Sequence, residues 1–249
     1  MNLLGILVGI GCVVAGMMME GTSPVIFINV PAFVVVCGTS FAACLVQFPL
    51  NTIGSSWKKF MWLISPPKNN VEAQAEYLLS LANTARAQGM LALEGSISSA
   101  PDDFTRDGVQ MIVDGVDKDV IKELLDNAIS LEEDKNIVAS KYFEAMGGYA
   151  PTMGIIGAVL GLIHAMSLLD RPDLLGPSIA TAFVATIFGL VFANLICIPA
   201  SGCIKMGIES ITVYKTMTME GLVSIASGEN SLMLKRRLAI YTGKTDQQA

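Results

Sequence analysis

The sequence predicts an all-α membrane protein: four transmembrane helices with a helical cytoplasmic insert between helices 2 and 3. Three observations carry this prediction. Hydrophobic residues make up 52% of the 249-residue chain and charged residues 15%, with a mean hydropathy of +0.56; an ordinary soluble domain carries about 25% charged residues. Long apolar runs without charge recur in two pairs, each near the length needed to cross a bilayer. Between and after those pairs charges return at the 3.6-residue spacing of water-soluble helices, and no strand alternation of useful length occurs.

The first helix, residues 1–20, has an uncharged core from Leu3 to Met19 that is just long enough to span. No Lys or Arg precedes it and no A-x-A-like cleavage site follows, so a retained span is expected rather than a signal peptide. A loop with Glu20, Gly21 and Pro24 leads to the second helix, residues 28–48, which stops at Pro49. Lys58 and Lys59 follow, where a stop-transfer pair would sit.

Residues 49–147 form the insert. Leu78, Leu81, Ala85 and Ala92 mark the apolar face of a helix over Val71 to Glu94, with Glu72, Glu76 and Arg86 between them. Asn70 is positioned to cap it, and Glu72 favours its first turn. Gly89 inside this helix costs about 1 kcal/mol relative to Ala and marks a bend or a close contact. Ser99 to Asp103 breaks the chain and starts another helix. Further helices are expected over Asp117 to Ala128 and Leu131 to Ala145, the latter leading into the third crossing, residues 149–169. A tight loop with Asp170, Arg171, Pro172 and Asp173 joins it to the fourth, residues 177–199. The tail, 201–249, is polar and mostly helical, with Lys235, Arg236 and Arg237 clustered.

Charge then orients the chain. Of the 16 Lys and Arg, nine lie in the insert, six in the tail and one, Arg171, in a loop on the other side. Positive loops stay in the cytoplasm, so the insert and both termini are expected there. The net charge of −6 argues against a nucleic-acid partner. Cys12, Cys37, Cys44, Cys197 and Cys203 lie in or beside apolar runs without a CxxC, as buried inert thiols do. A single histidine, His164, rules out a multi-histidine metal centre.

Candidate chemistry concentrates in the third and fourth helices. Gly154, Gly157, Gly161 and Gly189 let helix backbones approach, and Thr186 places a hydroxyl in mid-span. Two readings of Thr186 stand side by side: a packing group bonded to the carbonyl a turn back, or part of a polar path. Thr181 lies about 140° away around the helix and does not share its face. No Asp, Glu, Lys or Arg occurs in any of the four apolar cores. An ion path needs an ionisable relay, so that group must come from a partner. Pro151 and Pro199 each free a backbone carbonyl and favour a kink. A hydrolase built on Ser178 or Ser167 with His164 is disfavoured, because Gly176-Pro177-Ser178 lacks the full nucleophile elbow.

The segments GGYAPTMGIIGAVLGLIHAM (147–166), ATAFVATIFGLVFANLICIP (180–199) and ARAQGMLALE (85–94) resemble the MotA/PomA family, the A subunits of the bacterial flagellar motor stator. So do NLLGILVGIGCVVAGMMMEG (2–21) and the second run ending in QFPL (47–50). The resemblance implies a ring of five A subunits in the cytoplasmic (inner) membrane around a dimer of the B subunit, MotB or PomB. That partner supplies the ion-binding aspartate and anchors the complex to peptidoglycan. The cytoplasmic insert is then the torque-transmitting domain, pushing on the rotor protein FliG. By the same resemblance Arg86 and Glu94 match the charged pair facing the rotor. Eight residues apart, they lie about 80° apart on one helix and one surface presents both.

Pro151 and Pro199 match the prolines coupling ion passage to movement, and Thr186 the hydroxyl facing the partner's aspartate. Sodium-type members resemble GMIGT in the third helix and a Thr-Thr pair in the fourth. Here those positions are Ala158 and Ala185, which favours protons over sodium as the translocated ion, with no bound cofactor and no enzymatic activity. His164 matches a histidine of some proton-type members and reads as a helix-end residue. The alternatives are a sodium-driven stator subunit and an energiser of the ExbB/TolQ type, whose members carry only one membrane helix before the insert.

Overall fold

A computed structural model of the chain describes residues 2–243. All regular structure among the described residues is helical. The chain divides into two compact units, Met1–Pro66 with Asn136–Met206, and Pro67–Lys135 with Gly207–Ala249.

In the first unit, α1 covers Asn2–Met19 and is apolar after Asn2. A short 3-10 turn, Pro24–Phe27, precedes the run Val30–Gln47, made of α2 (Val30–Phe33), a π-helical stretch (Val34–Gly38) and α3 (Thr39–Gln47). Asn29 starts this run by accepting the Ala32 N–H through Oδ1 at 3.0 Å. Phe48 ends it in an extended conformation, φ −120° and ψ 140°, as the residue before a proline prefers. Next comes α4, Leu50–Phe60, whose Trp57 and Phe60 rings pack against Phe143 at centroid distances of 5.6 and 5.4 Å. That aromatic anchorage holds α4 in the first unit, although it follows Pro49 in the sequence.

Two long helices complete the frame. α8 runs unbroken from Lys118 to Met166, 49 residues. The helix expected over 117–128 is therefore one with that over 131–145 and the third crossing into which the latter was expected to lead, the whole ending at Met166. The junction between Ala128 and Leu131 carries neither Gly nor Pro, and a change from polar to apolar composition does not by itself end a helix. α9, Pro172–Val191, starts five residues before the expected 177 and carries Pro177 inside it. It passes through a π-helical stretch, Phe192–Cys197, into α10, Ile198–Ala226, so the helix does not stop at Pro199. A π stretch just ahead of a proline is where the carbonyl opposed by the ring must be accommodated. Within it Asn194 Nδ2 donates to the Leu190 carbonyl at 2.9 Å. Among the described residues three helical runs are long and apolar enough to cross a membrane: Val30–Gln47, and segments of Lys118–Met166 and Pro172–Ala226. Leu4–Met19 is a shorter apolar helix.

The second unit is a helical bundle with a large aliphatic core. It contains α5 (Val71–Gln88), a 3-10 turn (Met90–Leu93), α6 (Glu94–Ile97), α7 (Asp103–Val113), the start of α8, the end of α10 and α11 (Ser231–Thr242). Leu78, Leu93, Val109, Ile121, Leu222 and Leu234 are essentially sealed from solvent. Asn70 and Asp102 cap α5 and α7 by accepting the N–H of Ala73 at 3.0 Å and of Thr105 at 2.7 Å. Gln74, buried in the core, donates from Nε2 to the hydroxyls of Thr105 and Thr218 at 2.9 and 3.0 Å. This bond ties α5, α7 and α10 at one level.

Candidate functional site

The glycines of α8 and α9 meet backbone to backbone. A β-carbon built on Gly154 would stand 2.9 Å from the Ala185 carbonyl oxygen and 3.2 Å from the Thr186 Cα. On Gly161 it would fall 2.6 Å from the Ala182 Cβ, and on Gly189 2.5 Å from the Ala150 oxygen. These three positions, two of them two turns apart on α8 and one on α9, thus admit only hydrogen. The spacing that predicted close approach has its physical cause here: nothing larger than the methyls of Ala182 and Ala185 separates the two helices at these glycines.

Thr186 sits half-buried at this seam. Its Oγ1 points to the Gly154 carbonyl across the helix pair at 3.5 Å, the outer limit of a hydrogen bond. The bond goes to the neighbouring helix rather than to the carbonyl a turn back, and it is long enough that another acceptor competes easily. Ala185 beside it is 3% exposed, and its methyl would meet a Gly157 β-carbon at 2.8 Å. Ala158 is half-buried. Pro151 lies inside α8 and Pro199 inside α10, both half-buried. Thr186, Ala185 and the Pro151 turn of α8 belong to one helix pair, whereas Pro199 follows more than three turns after Thr186, past the π stretch.

His164, Ser178, Thr181 and Asn29 line a cleft of about 670 Å³ between the end of α8, the first half of α9 and the start of α2. The pairing that a hydrolase would need is missing. Ser167 Oγ donates to the His164 backbone oxygen at 2.6 Å, and among the described residues no hydrogen bond joins the imidazole to either serine.

Arg86 and Glu94 lie in the second unit, both exposed. The single helix expected to carry them is not formed. α5 ends at Gln88, and Gly89 turns the chain at φ +88° and ψ 165°, a conformation open to glycine and strained for other residues. Glu94 instead opens α6 after the 3-10 turn. The 80° estimate for their separation therefore lapses, since it assumed one continuous helix. Arg86 occupies the last turn of α5, where its charge suits the helix dipole. Its Nη1 donates to Asn230 Oδ1 at 3.0 Å. Asn230 went unnoticed in the sequence because it lies 144 residues away; its only local signal was an Asn just before a helical stretch.

Comparison with known proteins places this architecture. The profile of the MotA/TolQ/ExbB proton channel family matches residues 96–217, and that of the motility protein A N-terminal region matches residues 3–89. Motility protein A of Helicobacter pylori (strain ATCC 700392 / 26695) is 34% identical over 240 residues, covering 96% of this chain and 93% of the relative. The chain superposes on the structure of C. jejuni MotAB with a TM-score of 0.92 at 25% identity, covering 99% of this chain and 96% of the other. The flagellar MotAB stator complex from Bacillus subtilis gives a TM-score of 0.90 at 29% identity, covering 96% and 94%. With both halves matched in order and the close-packed α8–α9 pair in place, this chain belongs to the motility protein A branch of the MotA/TolQ/ExbB proton channel family.

Proposed function

We propose that this chain is the A subunit of a proton-driven flagellar stator, assembling as a pentamer around a dimer of a MotB-like B subunit and applying torque to the rotor protein FliG. As a channel-family subunit it is not an enzyme. The observation that carries the reading is the α8–α9 seam: two apolar helices in backbone contact, one weakly held hydroxyl at Thr186, and no Asp, Glu, Lys or Arg from Pro151 to Leu169 or from Pro177 to Pro199. Such a pair lines a path without supplying its titrating group.

The partner's carboxylate completes it. In a low-dielectric site a bare carboxylate is costly and a protonated one is not. A hydroxyl serves both states, donating to the anion and accepting from the acid. Thr186 meets that requirement, because its present bond to Gly154 is long and replaceable. Sodium would need several oxygen ligands, and the methyls of Ala158 and Ala185 offer none. Pro151 and Pro199, each missing an amide donor inside a helix, are the points where α8 and α10 flex. We assign α1 as a fourth crossing, with both termini and the second unit in the cytoplasm of a bacterial inner membrane. Arg86 and Glu94 then form the exposed contact with the rotor. Exposed ion pairs are worth about 0–1 kcal/mol each, which suits repeated engagement and release.

The test is ion flux and swimming in cells co-expressing the B subunit. Thr186→Ala should lower proton flux several-fold without changing the amount of complex in the membrane; unchanged flux would leave Thr186 a packing group. Swimming should persist in sodium-free medium, and its collapse there would overturn the proton assignment.

A further inference from the structure

Arg86 does not reach its exposed position alone. Its Nη1 donates to Asn230 Oδ1 at 3.0 Å, and the same oxygen accepts the Leu232 N–H at 3.2 Å as the cap of α11. One turn earlier on α5, Ser231 Oγ bonds Asn83 Oδ1 at 2.8 Å. Residues 83 and 86 share a helix face, so the first turn of α11 grips α5 at two successive points. Below these bonds Leu234 and Leu238 of α11 are buried in the core that also holds Leu78, Leu81 and Ala85 of α5.

The geometry points to Asn230 as a positioning residue for torque transmission: it holds the Arg86 guanidinium in one orientation for its charged partner. This inference rests on the rotor-facing role of Arg86 given above. A guanidinium is a rigid planar fork of five N–H donors. Fixing one of them against Asn230 leaves four for an incoming carboxylate and removes most of the freedom that an exposed arginine otherwise has. Asn230 is itself held by its cap bond and by the buried foot of α11. The C-terminal helix thereby acts on the rotor contact without facing the rotor.

Asn230→Ser separates the two duties of the residue. Serine still caps α11, but its side chain is too short to reach Arg86. Asn230→Asp keeps an acceptor oxygen at the same distance. In the detergent-solubilised complex, the rate at which phenylglyoxal modifies Arg86, followed by mass spectrometry, should rise several-fold in Asn230→Ser and stay low in Asn230→Asp. Stall torque should fall about twofold in Asn230→Ser, hold in Asn230→Asp, and show no further loss when Asn230→Ser is added to Arg86→Ala. An unchanged labelling rate overturns the holding contact. A torque loss that persists in the Arg86→Ala background overturns the positioning role, since Asn230 would then act through the fold. If Arg86→Ala by itself leaves torque intact, it is the rotor-facing reading that fails, whatever the labelling shows.

Discussion

The two units of this chain are built by opposite rules. In the first, the α8–α9 seam has a small interior and a large exterior, while Tyr142, Phe143 and Ile204 bury large side chains elsewhere in the unit. Ala32, Val36, Ala150, Ala185 and Ala193 form a buried cluster, while Ile155, Val159, Ile163, Phe183 and Ile187 stand exposed around it. In the second, Leu78, Leu81, Leu93, Ile121, Leu222 and Leu234 are buried and charges occupy the surface. The contrast follows from the solvent. Water drives large aliphatic side chains together at about 25 cal/mol per Å². Lipid tails offer no such gain, so helices in a bilayer associate through close packing of small residues. The α8–α9 seam of the first unit is therefore held by shape, the second unit by burial.

The sharpest way to break this distinction is Gly189→Val. Its β-carbon would lie 2.5 Å from the Ala150 carbonyl oxygen, so the helices must separate. Loss of swimming and loss of co-purifying B subunit are expected, measured by motility in soft agar and affinity capture. Gly176, which has open space at the β-position, provides the contrast: Gly176→Ala should swim as the parent does, and a non-motile result would show that glycine count rather than contact matters.

The second effect in size concerns the water-driven core. Leu222→Ala removes a fully buried side chain and should cost roughly 2–5 kcal/mol, read as earlier thermal unfolding of the second unit by hydrogen exchange. The α8–α9 seam should keep its protection at the same temperature. If both units lose protection together, the two do not stabilise independently.

The smallest effect is electrostatic. The Ser224 hydroxyl, bonded to Glu229 Oε2 at 2.5 Å, and then Arg237 at 3.1 Å hold the Glu229 carboxyl below its ordinary value of 4.5, against an opposing contribution from burial. A depressed carboxyl lends stability that is complete above its ordinary value and disappears as pH falls through the lower folded value. Glu229→Gln should therefore flatten the acid side of a stability–pH curve for the second unit and leave the first unchanged. An identical acid limb in both proteins would remove this ion pair from the account.

What could be read beforehand follows the same division. The apolar runs and the glycine spacing of α8 and α9 were legible because lipid imposes length and small residues impose contact, both local patterns. The end of α5 at Gly89 was not, since one glycine in an otherwise periodic segment is compatible with a continuous helix. The unbroken course of α8 was hidden by a change in polarity that looks like a boundary but removes no backbone hydrogen bond, and that of α9 into α10 by Pro199, which removes one amide donor without ending the helix. The π stretch at Val34–Gly38 has no compositional mark, and the one at Phe192–Cys197 has only Pro199 after it. Among the site residues, Thr186 was visible as a lone hydroxyl in an apolar run. The bond from Arg86 to Asn230 was not, because it joins residues brought together only by the folded bundle.

The hydrogen-only contacts at Gly154, Gly161 and Gly189 carry a mechanical corollary. Side chains between two helices act as compliant spacers, because rotamers can yield while axes shift. Here only the methyls of Ala182 and Ala185 intervene, and a methyl has no rotamer to yield, so a displacement of α8 along this seam carries α9 with it.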